Sequence, residues 1–177
     1  MKVSSRSFGP LVLAVLMVGA VALAASASTS AGTNATCSVK TTVKLKPGLT
    51  PKPSMGTFKS IGGGVSCQAG SKIKGHPVGK SSAFAIKGIY GTNGGDTCDH
   101  GAGNGKGSIT WPQPGGGSYT AGAKFTFSRT GSVVTITGTI AGANLSGTLQ
   151  FTPVSGQDCV VVPVTKAKVS GTVKAQG

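Results

Sequence analysis

The chain has few side chains that could perform catalysis. It contains no glutamate, and its three acidic side chains are Asp96, Asp99 and Asp158. Hydrolysis by paired carboxylates needs two acids on opposite sides of the reacting bond, and no Gly-x-Ser-x-Gly motif marks an activated serine. We therefore expect that the protein is not an enzyme. An extracellular hydrolase that uses these acids with His100 is the least favoured alternative.

The four cysteines indicate cross-links rather than a reactive thiol. Cys37, Cys67, Cys98 and Cys159 lack the close spacing of a zinc site, and an even number in an exported domain predicts two disulfides. Three pairings are open. We favour Cys37 with Cys67, which lie on successive strands in phase with inward residues. Cys98 would then pair with Cys159 and tether a long glycine-rich loop.

The second of these bridges would gather every acid of the chain. Asp96 and Asp99 flank Cys98, and Asp158 precedes Cys159. Carboxylate oxygens are typical ligands of hard cations such as Ca²⁺, so a cation site is one alternative. The favoured interpretation is that these residues cap turns and offset nearby lysines, with no bound metal and no cofactor.

Lysine dominates the charge of the protein. Once a signal peptide carrying Lys2 and Arg6 is removed, fifteen basic side chains oppose three acids, a formal charge of +12. Lys40, Lys44 and Lys46 alternate along the outer face of the first predicted strand, where they would attract anionic cell-envelope polymers. Alternatively, they serve solubility and protect a strand edge. A single arginine in the mature chain argues against specific nucleic-acid binding.

Two aromatic residues, Trp111 and Tyr119, flank a loop rich in proline and glycine. If exposed, they could stack on a sugar ring or a partner protein, as in a carbohydrate-binding module or a disulfide-stapled secreted inhibitor. The other interpretation places Trp111 in the core at the end of a barrel. The burial of Trp111 distinguishes the two.

Residues 1–27 have the three parts of a secretory signal peptide. A positively charged start precedes an apolar run over residues 11–25, and Ala25-Ser26-Ala27 supplies small residues for cleavage. The apolar run is short for a membrane span, although an uncleaved anchor is the alternative. We expect a secreted or cell-wall-associated mature protein that starts at Ser28 and does not span the membrane.

The rest of the chain reads as one all-β domain. Residues 28–36 are predicted to be a flexible lead-in, and residues 37–177 alternate between apolar and polar positions with the period of a β-strand. We predict eight or nine short antiparallel strands in a sandwich or barrel. A bulge is expected at residues 62–64, a glycine-rich loop at 91–107, a meander from 125 to 151, and a strand at 160–164 followed by a change of face near Thr165.

A resemblance supports the same fold and compartment. The run Gly105-Lys106-Gly107-Ser108-Ile109-Thr110-Trp111, the threonine-rich meander through Phe151 and the late Cys159 resemble exported all-β proteins of high-GC Gram-positive bacteria. The resemblance covers roughly residues 98–173, and it implies an exported β-domain without implying an activity. The sequence as a whole predicts a secreted, non-catalytic cell-surface or extracellular protein that is attracted to anionic envelope polymers.

Overall fold

The computed structural model describes residues 32–177, so the predicted signal peptide and residues 28–31 lie outside the described part of the chain. Within residues 32–177 no helix is long and apolar enough to cross a membrane. The described chain forms ten β-strands: β1 (Asn34–Leu49), β2 (Gly56–Cys67), β3 (Lys72–Ile73), β4 (His76–Pro77), β5 (Ala83–Tyr90), β6 (His100–Pro112), β7 (Ser118–Thr130), β8 (Val133–Ile140), β9 (Ala143–Pro153) and β10 (Val164–Gln176).

Eight of these strands close into an antiparallel barrel. The sheet runs in the order β10-β9-β8-β7-β6-β5-β2-β1, and β1 pairs with β10 to close it. The predicted all-β fold with two disulfides is therefore confirmed, and of the two architectures left open the barrel is the one observed. Closure removes both long edges of the sheet, which is how a barrel avoids unpaired backbone groups along an edge strand.

The stagger of the barrel follows from the strand register. Stepping from Lys166 through directly opposed residues on each successive strand leads once around the barrel and back to β10 at Gln176, ten residues farther along. This offset of ten residues is the shear of the barrel, and for eight strands it corresponds to a strand tilt of about 40°. The interior of such a barrel is narrow enough for side chains to fill most of it.

Alternation along the strands places one apolar set inside. In the predicted meander, now β7, β8 and β9, inward positions include Phe125, Phe127, Val134, Ile140 and Leu149. Polar residues, above all threonine and serine, occupy most of the intervening outward positions, and Val133 is an exposed apolar exception. The predicted meander is therefore confirmed. Its period of two arises because one face of each strand is buried and the other face is in solvent.

Glycines on the inward face make room for aromatic rings. Gly88 of β5 and Gly105 of β6 lie directly opposite each other, with Phe58 and Phe125 at the flanking positions of the same cross-strand row. A Cβ atom at Gly105 would lie 2.6 Å from the Phe125 ring and 2.9 Å from the Phe58 ring. The aromatic rings therefore occupy the space that these glycines leave free.

This packing corrects the glycine-rich loop predicted at residues 91–107. Strand β6 begins at His100, because its glycines alternate and take the inward positions beneath the rings. Glycine normally argues against a strand, since it has no side chain to pack. Here the neighbouring strands supply the side chains, and only residues 91–99 form the connection.

Two other predictions at the ends of elements were wrong. Strand β1 starts at Asn34, within the predicted lead-in, because Ala35 is buried in the core and Asn34 pairs with Gln176. Residues 160–163 are not a strand, and β10 starts at Val164. The side chains of Val160, Val161 and Val162 are exposed because their backbone curls around Asp158, as described below.

The predicted irregularities within the strands are confirmed. The register between β1 and β2 shifts between Thr41 and Val43, which accommodates one extra residue on β2 near Gly62. The register between β1 and β10 shifts near Thr165, and Thr165 and Lys166 are both exposed between two buried positions. Each shift restores the apolar side chains to the inner face.

Both predicted disulfides are present. Cys37 and Cys67 are directly opposed on β1 and β2, and Cys98 joins the 91–99 connection to Cys159 in the connection between β9 and β10. The sequence separations are 30 and 61 residues, so each bridge contributes about 3–4 kcal/mol in the chain-entropy model. Two disulfides also indicate an oxidising environment such as the extracellular space.

The close fit at the inward glycines gives a first prediction. A Cβ atom at Gly88 would overlap the carbonyl oxygen of Asn104 and lie 2.6 Å from the Phe58 ring. We expect Gly88→Ala to lower the free energy of unfolding by about 1–3 kcal/mol, as overpacking does. Gly122→Ala on the outer face of β7 is the control, because nothing lies within 4 Å of its Cβ position. Equal midpoints for both variants in urea denaturation would contradict this account of the packing.

Candidate functional site

A row of six lysines crosses the outer face of the barrel. Each lysine is directly opposite the next on the neighbouring strand, from β10 through β1, β2, β5 and β6 to β7. All six side chains are exposed. This lysine row consists of Lys166, Lys44, Lys59, Lys87, Lys106 and Lys124.

The row is unfavourable for folding by itself. Directly opposed residues on antiparallel strands have Cβ atoms about 5 Å apart, and like charges at such positions destabilise a sheet. Five successive lysine pairs occur here, and the next positions after Lys124 are Thr139 and Asn144, which are uncharged. No acidic residue interrupts the row or continues it. The row is therefore a continuous band of positive charge across six strands, and it forms at a cost in stability.

The surroundings of the row leave the ammonium groups accessible. On one side, a parallel row of small residues, Ala85, Ser108 and Gly122, lies two positions along each strand. On the other side, the corresponding positions are the exposed Ile89 and the polar Asn104 and Thr126. Two shallow surface depressions follow these flanking rows, and both are lined by the same four residues of the row: Lys59, Lys87, Lys106 and Lys124.

The lysines singled out in the sequence are exposed on β1, as their alternation predicted. Only Lys44 belongs to the row, however. Lys40 is opposed by Ser170 and Gly64, and Lys46 is opposed by Thr57. Sequence reasoning missed the other five lysines because their alignment depends on the register between strands that are far apart in the chain.

The aromatic residues that could have formed a sugar-binding platform lie elsewhere. Trp111 has no exposed surface, so it offers no face to an external ligand. Tyr119 is half-buried and stacks between Trp111 and His76, with ring centroids 6.3 Å and 4.1 Å away. The structure therefore agrees with the interpretation that Trp111 closes one end of the barrel. His76 is the outermost ring of the stack.

The acidic residues lie at the opposite end, near the second disulfide. Asp158 is exposed, and its Oδ1 accepts hydrogen bonds from the N–H groups of residues 160, 161 and 162 at 2.8–3.0 Å. These bonds lower the pKa of the Asp158 carboxyl. Asp96 is buried, and Asp99 is exposed. Among residues 32–177, no group of three Asp, Glu, His or Cys side chains lies close enough together to hold a metal ion.

Arg129 organises this end of the barrel, and sequence reasoning overlooked it. Its guanidinium donates to the carbonyl oxygens of Cys98 at 2.7 Å, Gly131 at 2.8 Å and His100 at 3.2 Å, and also to that of Thr97. The same group lies 5.1 Å from the centre of the Phe151 ring. Arg129 continues the inward phase of Phe125 and Phe127 on β7. That phase was the available signal for a buried cation that ties down the 91–99 connection.

Asp96 is the acidic partner of this buried region. Its Oδ1 accepts hydrogen bonds from Gly91 N at 3.0 Å and Ala102 N at 2.7 Å, and its side chain is 2 % exposed. Burial raises the pKa of the Asp96 carboxyl, although these two bonds and the charge of Arg129 act in the opposite direction. The carboxylate therefore positions backbone rather than facing solvent, and it is the only acid that lines the barrel interior in the described residues.

Comparisons with known proteins identify no relative. No protein-family model, curated protein or solved structure matches this chain.

The pKa of Asp96 is raised and that of Asp158 is lowered, so we predict that their contributions to stability depend on pH in opposite directions. A carboxyl whose pKa is raised in the folded state supports folding most at low pH and loses that contribution as pH rises above about 4. Relative to Asp96→Asn, the wild-type protein should therefore gain thermal stability as pH falls from 7 towards 4. Asp158→Asn is the control: because the pKa of Asp158 is lowered, the wild-type advantage over this variant should stay constant from pH 7 to about 4 and be lost only as pH falls further. Melting temperatures of the three proteins against pH test this. Parallel curves for wild type and Asp96→Asn would contradict the assignment.

Proposed function

We propose that this protein is an exported, non-catalytic component of the cell envelope that binds flexible linear polyanions along the lysine row. The observation that carries the proposal is the direct cross-strand register of six exposed lysines on adjacent strands. The predicted signal peptide and the two disulfides support a location outside the cytoplasm. The formal charge of the mature chain supports attraction to anionic polymers there.

The curvature of the barrel favours a flexible polymer over a flat surface. The row crosses six of the eight barrel strands, so its two ends face in widely different directions. A planar membrane would contact only the lysines on one side of the barrel. A DNA duplex is similarly unsuitable, because its persistence length of about 50 nm prevents it from following so small a radius. A flexible chain of phosphates can follow all six lysines.

The spacing of the row suits a chain of regularly repeated charges. Adjacent strands lie about 4.8 Å apart, so the five intervals span about 24 Å along the sheet. Lysine presents a hydrated point charge on a flexible stem, which tolerates variation in the position of each anion. We infer that recognition depends on repeated charge rather than on the detailed shape of the repeating unit.

The neighbours of the row argue against recognition of bases or sugar rings. Single-stranded nucleic acids are usually held by exposed aromatic side chains on which bases stack. The flanking positions on β5, β6 and β7 hold no aromatic residue: they are small, polar or, at Ile89, aliphatic. Trp111 is buried. The polymer expected here is therefore a backbone of phosphates without aromatic groups, as in a poly(glycerol phosphate).

Binding by this mechanism must depend strongly on salt. A ligand that contacts about six cations through its phosphates loses roughly a thousandfold in affinity between about 50 and 200 mM salt, because released counterions drive the association. We expect this behaviour for poly(glycerol phosphate) and for linear inorganic polyphosphate as a simpler probe. Retention that is insensitive to salt, or absent at low salt, would exclude the proposal.

A pair of double variants separates the row from net charge. Lys87→Gln with Lys106→Gln removes two central members of the row, and Lys40→Gln with Lys174→Gln removes the same charge from exposed positions outside it. Each lysine that contacts a phosphate contributes about 1 to the slope of log affinity against log salt. The central pair should therefore lower that slope by about 2 and weaken polyphosphate binding at low salt by at least tenfold.

The control pair should change the slope by much less. Fluorescence anisotropy of end-labelled polyphosphate, titrated at several salt concentrations, provides the measurement. If both double variants lose affinity equally, attraction follows the overall charge and the row has no special role. Circular dichroism of each variant confirms that the barrel remains folded.

A further inference from the structure

Exposed apolar side chains are concentrated at one end of the barrel. Among residues 32–177, seven large apolar side chains are exposed, and five of them lie at the end that carries the Cys98–Cys159 bridge. The connections at the opposite end, at residues 68–82, 113–117 and 141–142, carry none of the seven. Single exposed apolar side chains are normal on a protein surface, whereas a cluster marks an interaction site. The five are Met55, Val133, Val160, Val161 and Val162.

The 91–99 connection ties these side chains to a single surface. It shares two backbone hydrogen bonds with the 50–55 connection, and it accepts one from the turn at residues 131–132. The Cys98–Cys159 bridge joins it to the 154–163 connection. The four connections at this end are therefore cross-linked, and the apolar side chains keep fixed positions relative to one another.

Three of the five side chains, Val160, Val161 and Val162, form a protruding valine tip. The relative exposures of Val160 and Val161 are 73 % and 79 %. The N–H groups of all three valines donate to Asp158, and the N–H of Cys159 donates to the carbonyl of Val162 at 2.9 Å. The backbone of the tip is thus fixed, while its apolar side chains remain in solvent. A rigid scaffold that keeps a cluster of apolar side chains exposed favours a role in binding.

Exposed lysines flank the valine tip. Lys166 follows Val162 by four residues, and Lys44 lies directly opposite Lys166. Lys46 lies in the adjoining bulge of β1. Four residues of strand span at most about 13 Å, and the long side chain of a lysine covers part of that distance. A surface that accepts the tip is therefore within reach of these ammonium groups.

The two exposed acids at this end have partners within the protein. Asp158 accepts the three N–H bonds of the tip. Asp99 lies close to the Arg129 guanidinium: burial lowers the pKa of Arg129, and the charges of Asp96 and Asp99 counteract that effect. The charges of both exposed acids are thus offset locally, and the flanking lysines are left to attract external anions.

We propose that this end of the barrel docks on an anionic lipid bilayer, with the valine tip inserted among the lipid headgroups and Lys44, Lys46 and Lys166 in contact with lipid phosphates. A small apolar insertion gives marginal membrane affinity by itself, and a basic patch supplies the second contribution that makes binding stable. A bilayer deforms around a protruding tip, whereas a protein surface would need a pocket of matching shape.

End-on docking leaves the far part of the lysine row accessible. Lys106 and Lys124 each lie six residues from this end of their strands, a distance of about 20 Å along the strand. They remain available to a polymer while the tip is in the bilayer. The valine tip lies outside the row, so this inference does not depend on the proposed polyanion binding.

Sedimentation with lipid vesicles tests the proposal on the mature wild-type protein. We expect binding to vesicles of about 30 % phosphatidylglycerol in phosphatidylcholine, and binding at least tenfold weaker to pure phosphatidylcholine, because each lysine near an anionic surface contributes about fivefold. Val161→Ser removes the most exposed apolar side chain and should weaken binding to the anionic vesicles about tenfold. Ile61→Ser is the matched control: Ile61 is exposed on the side wall of the barrel in β2, so its loss should leave vesicle binding unchanged.

Tryptophan fluorescence locates the inserted residue. The single natural tryptophan, Trp111, is buried and gives a constant background. The emission of Val161→Trp should shift to shorter wavelength when anionic vesicles are added, and that of Ile61→Trp should not.

Polyphosphate binding separates the tip from the lysine row, because Val161→Ser should bind polyphosphate as the wild-type protein does. The membrane proposal fails if the wild-type protein does not bind anionic vesicles at low salt. It also fails if Val161→Ser binds them as tightly as the wild-type protein, or if the emission of Val161→Trp does not change in their presence.

Discussion

The pairing of β1 with β10 is the constraint on which the rest of the structure depends. It joins the first strand of the sheet to the last, and it is continuous from Asn34 to Lys44 on one side and from Gln176 to Lys166 on the other. This closure sets the stagger of the barrel and decides which residues of neighbouring strands stand opposite each other. Closure also encloses one face of the sheet as the barrel interior, so that an inward apolar residue on any strand contacts residues from several other strands.

Closure has one consequence inside the barrel and another outside. Inside, aromatic rings from β2 and β7 lie over glycines of β5 and β6, and the remaining space forms an apolar cavity. Outside, the same register aligns the six lysines of the row. A shift of a single strand by two residues would keep its apolar side chains inside yet break the row. Such a shift would also separate Gly88 and Gly105 from the aromatic rings that fill the space beside them, so the register that packs the core is the one that aligns the lysines.

The two ends of the barrel are stabilised differently. At one end, Arg129 and the Cys98–Cys159 bridge hold the 91–99 connection. At the other end lie the Cys37–Cys67 bridge and the β3–β4 hairpin, whose His76 stacks on Tyr119 and whose Ile73 is buried. The buried Arg129 and a disulfide thus hold the first end, whereas a disulfide and stacked aromatic rings hold the second.

The sequence alone determined the local features of this protein. Alternation with a period of two located most of the strands, and the phase of Cys37 and Cys67 favoured the pairing that the structure confirms. Alternation also placed Lys40, Lys44 and Lys46 on an outer face. These features depend on residues close together in the chain, or on a side-chain direction that every strand imposes. The burial of Trp111 was one of two interpretations. The sequence predicted a loop where β6 carries its inward glycines, because the side chains that pack against those glycines lie on other strands.

Only the tertiary structure decided how distant strands align. Lys44 and Lys166 are opposite each other although more than a hundred residues separate them, and no local pattern contains that register. The same is true of barrel closure, of the four carbonyl groups that converge on Arg129, and of the complete burial of Trp111. Each of these arises from the simultaneous packing of all eight strands. Register between strands is a long-range property, set by which interior side chains fit together, and the sequence of any one strand does not specify it.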